Sequence, residues 1–289
     1  PMEVNSETIN ILEKFASLNP LHNKIAYEGI ELSLKTFQSS RHFAIFDTDF
    51  HKTIPEHAKI YGLDYEFYLK GIKKYGFHGI SYSYLLDLSK EILNNQKPNL
   101  IALHLGSGSS ACAIKEGASF DTSMGFSPLE GLLMLSRPGD IDAGVILELL
   151  KLGYTAKELE EMLYKNSGIR AIAKADDFET LLKLKANDAI ARLAYEAFLH
   201  RIIKYVGAYW VLLGNVDVLV FSGGIGENSY ELRQDLCKAL EPFGVKIDNF
   251  KNRENATSIE TKDSKIKVLV LKTDEEMQMV KILIKHLGW

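Results

Sequence analysis

Two stretches of this chain share one grammar, and together they limit what it can fold into. Asn99-Leu-Ile-Ala-Leu-His104 is an apolar run that passes into Leu105-Gly106-Ser107-Gly108-Ser109-Ser110. Val216-Asp-Val-Leu-Val-Phe221 passes in the same way into Ser222-Gly223-Gly224-Ile225-Gly226-Glu227-Asn228. A short apolar run bounded by turn formers reads as a strand buried on both faces. Small residues after it let the backbone approach an anion, because glycine has no Cβ and successive amides can point at one centre. One such turn is weak evidence of a ligand. Two in one chain make a nucleotide site a candidate beside the plain reading of two tight turns. Neither turn fits the Rossmann glycine pattern, and no Gly-Lys-Ser/Thr marks a Walker loop.

Around these runs the periodicity is helical. Residues 6–19 and 24–37 are expected to form amphipathic helices, broken by the turn formers Asn19-Pro20-Leu21-His22-Asn23. Arg41-His42-Phe43-Ala44-Ile45-Phe46-Asp47 reads as a buried strand presenting Asp47 at its end. Helical patterns follow at 82–94, 141–152, 155–164, 178–186 and 188–213, and Lys267–Leu271 is a further strand. The last helix, 275–287, sets Met277, Val280, Ile284 and Leu287 on one face, with Thr273-Asp274-Glu275-Glu276 supplying a cap and first-turn acids. Strands mixed with helices, without repeats or a low-complexity linker, indicate an α/β protein.

Length and charge narrow the functions. At 289 residues two lobes are the prior expectation, and the core needs no disulfide staple. A net charge of −4, from 34 basic and 38 acidic residues, argues against a nucleic-acid partner. Cys112 and Cys237 lie far apart in apolar surroundings and read as buried thiols of a reducing compartment. No apolar run reaches membrane-spanning length, and Pro1-Met2-Glu3-Val4-Asn5 has no signal-peptide character, so a cytoplasmic protein with no membrane partner is expected.

Specific strings carry the reading further. Phe46-Asp47-Thr48-Asp49-Phe50-His51, Tyr75-Gly76-Phe77-His78-Gly79, Asp121-Thr-Ser-Met-Gly-Phe-Ser-Pro-Leu-Glu-Gly131, Ser136-Arg137-Pro138-Gly139-Asp140 and Gly224-Ile-Gly-Glu-Asn-Ser229 follow one another in order. In these motifs the chain resembles the acetate kinases of the actin-like ATPase superfamily, over nearly its whole length. The resemblance implies a two-lobed, ribonuclease H-like fold and reversible transfer of the ATP γ-phosphoryl group to acetate, giving acetyl phosphate and ADP with Mg²⁺. Such transfer asks a protein for alignment and for cations around the equatorial oxygens.

By resemblance, Asp47, His78, Arg137 and His22 are the catalytic set, and Asp47 and Glu275 hold Mg²⁺. A guanidinium offers phosphate a planar fork, and a histidine adds a directed donor. The nucleotide falls to His104, Gly106, Ser107 and Gly108 on one side and to Asp177, Phe178, Gly224, Ile225 and Asn228 on the other. Leu21, Phe77 and Pro128 wall the acetate pocket, where a small apolar space suits a methyl group. Each side chain also has a plain reading: Arg137 as a salt-bridge arginine, Glu275 as a helix-start acid, His22 as a turn histidine, the pocket wall as ordinary core.

The chain also departs from the family pattern. The opening strand with an Asn–Gly–Ser–Ser–Ser–Lys-type loop and the His–Arg–Val–Val–His–Gly–Gly motif do not occur in it, Ser107 stands where the family has asparagine, and Glu179 stands for an arginine. Residues 1–49 with the final helix, 276–289, are therefore expected to form an incomplete first lobe with exposed apolar faces. Residues 50–275 are expected to form the second, nucleotide-binding and dimerising lobe of a homodimer. Weak nucleotide binding and very slow turnover by this chain alone are expected. The rival readings are a propionate or other short-chain acyl kinase and a non-catalytic nucleotide-binding remnant.

Overall fold

The structure is a computed structural model that describes residues 1–5, 7–16 and 23–289. Among them, seven strands form two sheets. Strands β1 (Met2–Glu3) and β2 (Phe43–Ala44) make a small antiparallel pair. Strands β3 (Leu100–Leu105), β4 (Ser109–Lys115), β5 (Ala118–Thr122), β6 (Val218–Ser222) and β7 (Lys267–Val270) form a mixed sheet in the order β5-β4-β3-β6-β7. Strand β4 runs antiparallel to both β3 and β5, whereas β3, β6 and β7 are parallel.

Strand alternation sorts the core into two layers. Ile101, Leu103, Leu105, Leu219 and Phe221 face a large cluster that holds the helix Ala189–Leu213. Leu100, Ala102, Val218 and Val220 face the other way, onto Tyr82, Leu85 and Leu86 of the helix Gly79–Leu93. Both faces are therefore dry, as parallel strands joined by helices require. Cys112 and Cys237 are buried free thiols, one in each layer.

The run Arg41–Asp47 departs from the expectation of a buried strand. Only Phe43 and Ala44 pair, both are half-exposed, and Phe46 is 39% exposed. A two-stranded ribbon has no second layer to cover it, so an apolar run there stays open. The last helix, Glu275–Leu287, matches the expected span, but its apolar stripe faces outward, with Met277, Val280 and Ile284 exposed. Its inner face is polar instead: the buried Gln278 donates to Ser83 and Asp87 of Gly79–Leu93. The helices expected at 6–19 and 24–37 are present as Thr8–Ala16 and Asn23–Thr36.

Candidate active site

Asp47 opens the site. Its carboxylate accepts from the backbone amides of His78 (2.6 Å) and Ile80 (3.1 Å) at the start of helix Gly79–Leu93. Those amides have no partner inside the helix, and a carboxylate suits the positive end of the dipole. The approach depends on Gly79, because a Cβ there would meet the Asp47 carbonyl oxygen at 2.0 Å. Burial raises the Asp47 pKa against the lowering effect of those amides. His78, held by the same bond, takes a left-handed φ of 57°, a costly conformation for a residue with a Cβ.

His78 is where the distant motifs meet. Its ring stacks on His104 with centroids 4.2 Å apart. A Cβ built on Gly108 would lie 2.8 Å from Arg137 Nη2 and 3.5 Å from His78 Nε2, so both side chains crowd the Gly106–Gly108 turn. The turn is closed by a bond from the Gly106 amide to the Gly108 carbonyl, 3.0 Å. Arg137 donates from Nη1 to the Pro128 carbonyl at 2.9 Å and makes no ion pair with a described carboxylate. Its desolvated charge pushes its own pKa down, and burial, His104 and Arg137 together hold His78 well below the ordinary histidine value. Burial takes His104 down to about 4. A half-buried guanidinium with no counter-charge, beside two neutral imidazoles and a glycine turn, is a site for an anion.

Glu275 completes the cluster from the first turn of the last helix. Partial burial and then the Asp47 charge raise its pKa, which places the two carboxylates in each other's field. No group of three or more His, Cys, Asp or Glu converges among the described residues. Two carboxylates in each other's field, too few for a protein cage, fit a Mg²⁺ site of the kind completed by water and phosphate oxygens.

The second glycine turn differs. Strand β6 runs directly into the helix Gly223–Asn228. Gly223 has φ 75° and packs on the end of β3, where a Cβ would meet the Leu105 carbonyl oxygen at 2.6 Å. Gly224 is exposed with nothing within 4 Å, Ile225 is half-buried, and Asn228 donates to the Gly224 carbonyl at 2.8 Å. The motif reading missed the residue that holds this helix: the fully buried Arg233 donates to the carbonyls of Gly226 and Glu227 and to Asn252 and Asn255. An arginine shortly after a glycine turn was the available signal.

Other expected site residues are sorted by the structure. Asp177 is exposed and caps the helix Phe178–Leu184 through Thr180. The ring of Phe178 is buried against Phe198 and Tyr195, so it belongs to the core. Glu179, which stands for an arginine of the family pattern, pairs with Lys183 at 2.6 Å on the surface. Phe77 and Pro128 lie beside the cluster, Phe77 next to His78 in the chain and Pro128 on Arg137. Ser107 is exposed at the tip of its turn. Leu21 and His22 lie outside the described residues. A polar cavity of about 770 Å³ lined by Asp217, Glu260 and Lys267 opens at the other end of the parallel strands and shares no residue with the cluster.

A glycine turn facing Arg137, two histidines and a carboxylate pair lies at the C-terminal ends of the parallel strands, where such sheets place ligands, and carries the groups phosphoryl transfer asks for. Comparison with known proteins gives the family. The acetokinase family profile matches residues 1–281. The chain is 45% identical over 280 residues to an acetate kinase of Sulfurimonas denitrificans, covering 96% of this chain and 72% of that relative. An acetate kinase of Porphyromonas gingivalis superposes with a TM-score of 0.91 at 37% identity, over 99% of this chain and 74% of that one. A propionate kinase of Francisella tularensis gives 0.93 at 37% identity, over 96% and 73%. The chain belongs to the acetokinase family, and its fold is the actin-like ATPase fold of those enzymes. No helix among the described residues is long and apolar enough to cross a membrane.

Proposed function

We propose that this chain is an acetate kinase that reversibly transfers the γ-phosphoryl group of ATP to acetate, giving acetyl phosphate and ADP with Mg²⁺ as cofactor. The observation that carries the reading is the convergence of Arg137 Nη2 and His78 Nε2 on Gly108, with no carboxylate among the described residues paired to Arg137. Charge that builds on the equatorial oxygens meets a planar cation and a directed donor that are already in place. Asp47 and Glu275 would hold Mg²⁺, which supplies charge neutralisation to the phosphates. The Ser107 and Gly108 amides, at the tip of the turn, cradle phosphate, and Gly224, Ile225 and Asn228 border the nucleoside. Phe77 and Pro128 confine the carboxylate substrate and exclude water from its reacting oxygen.

Residues 1–49 with 276–289 form one lobe and 50–275 the other in this reading. Exposed apolar side chains on the second lobe, among them Leu147, Leu152, Ile190 and Leu193, support a homodimer. Ser107 has a shorter reach than the asparagine of the family pattern, so slow turnover is expected. Trapping the acyl phosphate with hydroxylamine in long incubations with ATP, Mg²⁺ and acetate tests the proposal. Acetyl hydroxamate formation that vanishes in Arg137→Ala supports it; ADP release without hydroxamate contradicts it. The similarity to a propionate kinase supports a short-chain acyl kinase as the second reading, decided by kcat/KM for propionate against acetate.

A further inference from the structure

Two hydroxyl chains lead from the protein interior to the two stacked histidines. In the first, the Tyr82 hydroxyl lies 2.5 Å from Ser110 Oγ, which lies 2.8 Å from His78 Nδ1. In the second, Thr273 Oγ1 donates to Ser81 Oγ at 2.9 Å, and Ser81 Oγ lies 2.9 Å from His104 Nδ1. Tyr82, Ser110 and Ser81 are fully buried, so their protons must find acceptors inside the protein. That requirement fixes the direction of each chain.

Ser110 Oγ is the acceptor within hydrogen-bonding reach of the Tyr82 proton. Ser110 has one proton, and with Tyr82 donating to it, that proton goes to His78 Nδ1. Ser81, receiving from Thr273, likewise gives its proton to His104 Nδ1. In a neutral imidazole one nitrogen accepts and the other carries hydrogen. Both rings therefore carry their hydrogen on Nε2. The Nε2 of His78 faces Gly108 and Arg137, and no hydrogen bond to protein is made by Nε2 of either ring among the described residues.

We propose that Tyr82 and Thr273 are positioning residues that, through Ser110 and Ser81, lock His78 and His104 as Nε2–H donors, with that of His78 aimed at the transferring phosphoryl group. The proposal rests on the kinase reading of this cluster. It assigns work to side chains that touch no substrate. It also ties the second chain to the acid of the metal pair, since Thr273 is two residues before Glu275.

The test is ¹⁵N NMR of the full chain labelled at the histidine ring nitrogens, without nucleotide, with His78 and His104 assigned from single His→Gln variants. Both rings are expected to show an unprotonated Nδ1 and a protonated Nε2. Ser110→Ala should convert the His78 pattern to a mixture of tautomers and lower kcat about tenfold, while the nucleotide KM stays within about twofold. Thr273→Val should loosen His104 in the same way, and Thr273→Ser, which keeps the hydroxyl, should restore it. Thr273 is only half-buried, so that pair still reads the proposal where Ser110→Ala does not fold. A wild-type Nδ1–H pattern, or an unchanged pattern in both Ser110→Ala and Thr273→Val, overturns the proposal. Nε2–H histidines in a chain that makes no acyl phosphate would instead sink the kinase reading and leave the relay standing.

Discussion

The two glycine turns look alike in sequence and differ in what surrounds them. After β3 the chain folds back through Gly106–Gly108 into the antiparallel β4, under a roof of Arg137, His78 and His104. After β6 it enters the helix Gly223–Asn228, where Gly223 is wedged against β3 and Gly224 looks into open space. The first turn needs glycine because functional side chains press on it. The second needs one glycine for packing and leaves another as a free surface. One grammar thus serves two surroundings, proposed above as a phosphate cradle and a nucleoside platform, and the difference lies in the neighbours rather than in the turns.

The comparison is broken most severely at Arg137. Arg137→Ala should lower kcat by about 10³-fold while nucleotide affinity changes only a few fold. Arg137→Lys should recover little, because an ammonium lacks the fork. Turnover and binding isotherms on the same preparations check both.

Acid should separate the two turns next. The phosphate side rests on buried neutral histidines; His51, bonded to the Phe77 carbonyl and Ser119, has its pKa taken down to about 4 by burial. Its folded value lies below the ordinary 6.5, so its contribution is fully present above that pH and is lost as pH falls toward 4. The loss amounts to ~3 kcal/mol from His51 alone. The nucleoside side is clamped by Arg233, which burial lowers only to about 10 and which stays charged throughout. Hydrogen exchange below pH 6 should therefore accelerate at Gly79–Leu93 before Gly223–Asn228. Simultaneous loss would deny the division.

Glycine substitutions sharpen the contrast. Gly108→Ala should cost about 10²-fold in kcat by displacing Arg137, with little change in melting temperature. Gly223→Ala should do the reverse, destabilising the fold by about 1–3 kcal/mol through its φ and the Leu105 contact. Gly224→Ala should move stability by less than about 0.5 kcal/mol and raise only the nucleotide KM.

Much of this was legible in the chain. Short continuous apolar runs marked β3, β6 and β7 to within two residues, because strands buried on both faces leave an uninterrupted apolar signature. The motifs brought Asp47, His78, Arg137 and Glu275 together on paper before the fold did. What failed depended on neighbours. Phe43–Asp47 has the composition of a buried strand, but no second layer covers it. Phe178 follows a capping aspartate like a ligand contact, yet its ring is claimed by Phe198. The hydroxyl relays were illegible because Thr273 and Ser81 are 192 residues apart and nothing in local pattern joins them.

The central claim is that residues distant in sequence form one centre for phosphoryl transfer at Gly106–Gly108. A crystal structure with Mg²⁺, ADP, aluminium fluoride and acetate tests it most directly. The fluoride should lie within hydrogen-bonding reach of Arg137 and His78, with Mg²⁺ between Glu275 and the Asp47 side of the cleft. Nucleotide or fluoride bound instead in the polar cavity by Asp217 and Lys267, with the glycine turn empty, would contradict the account.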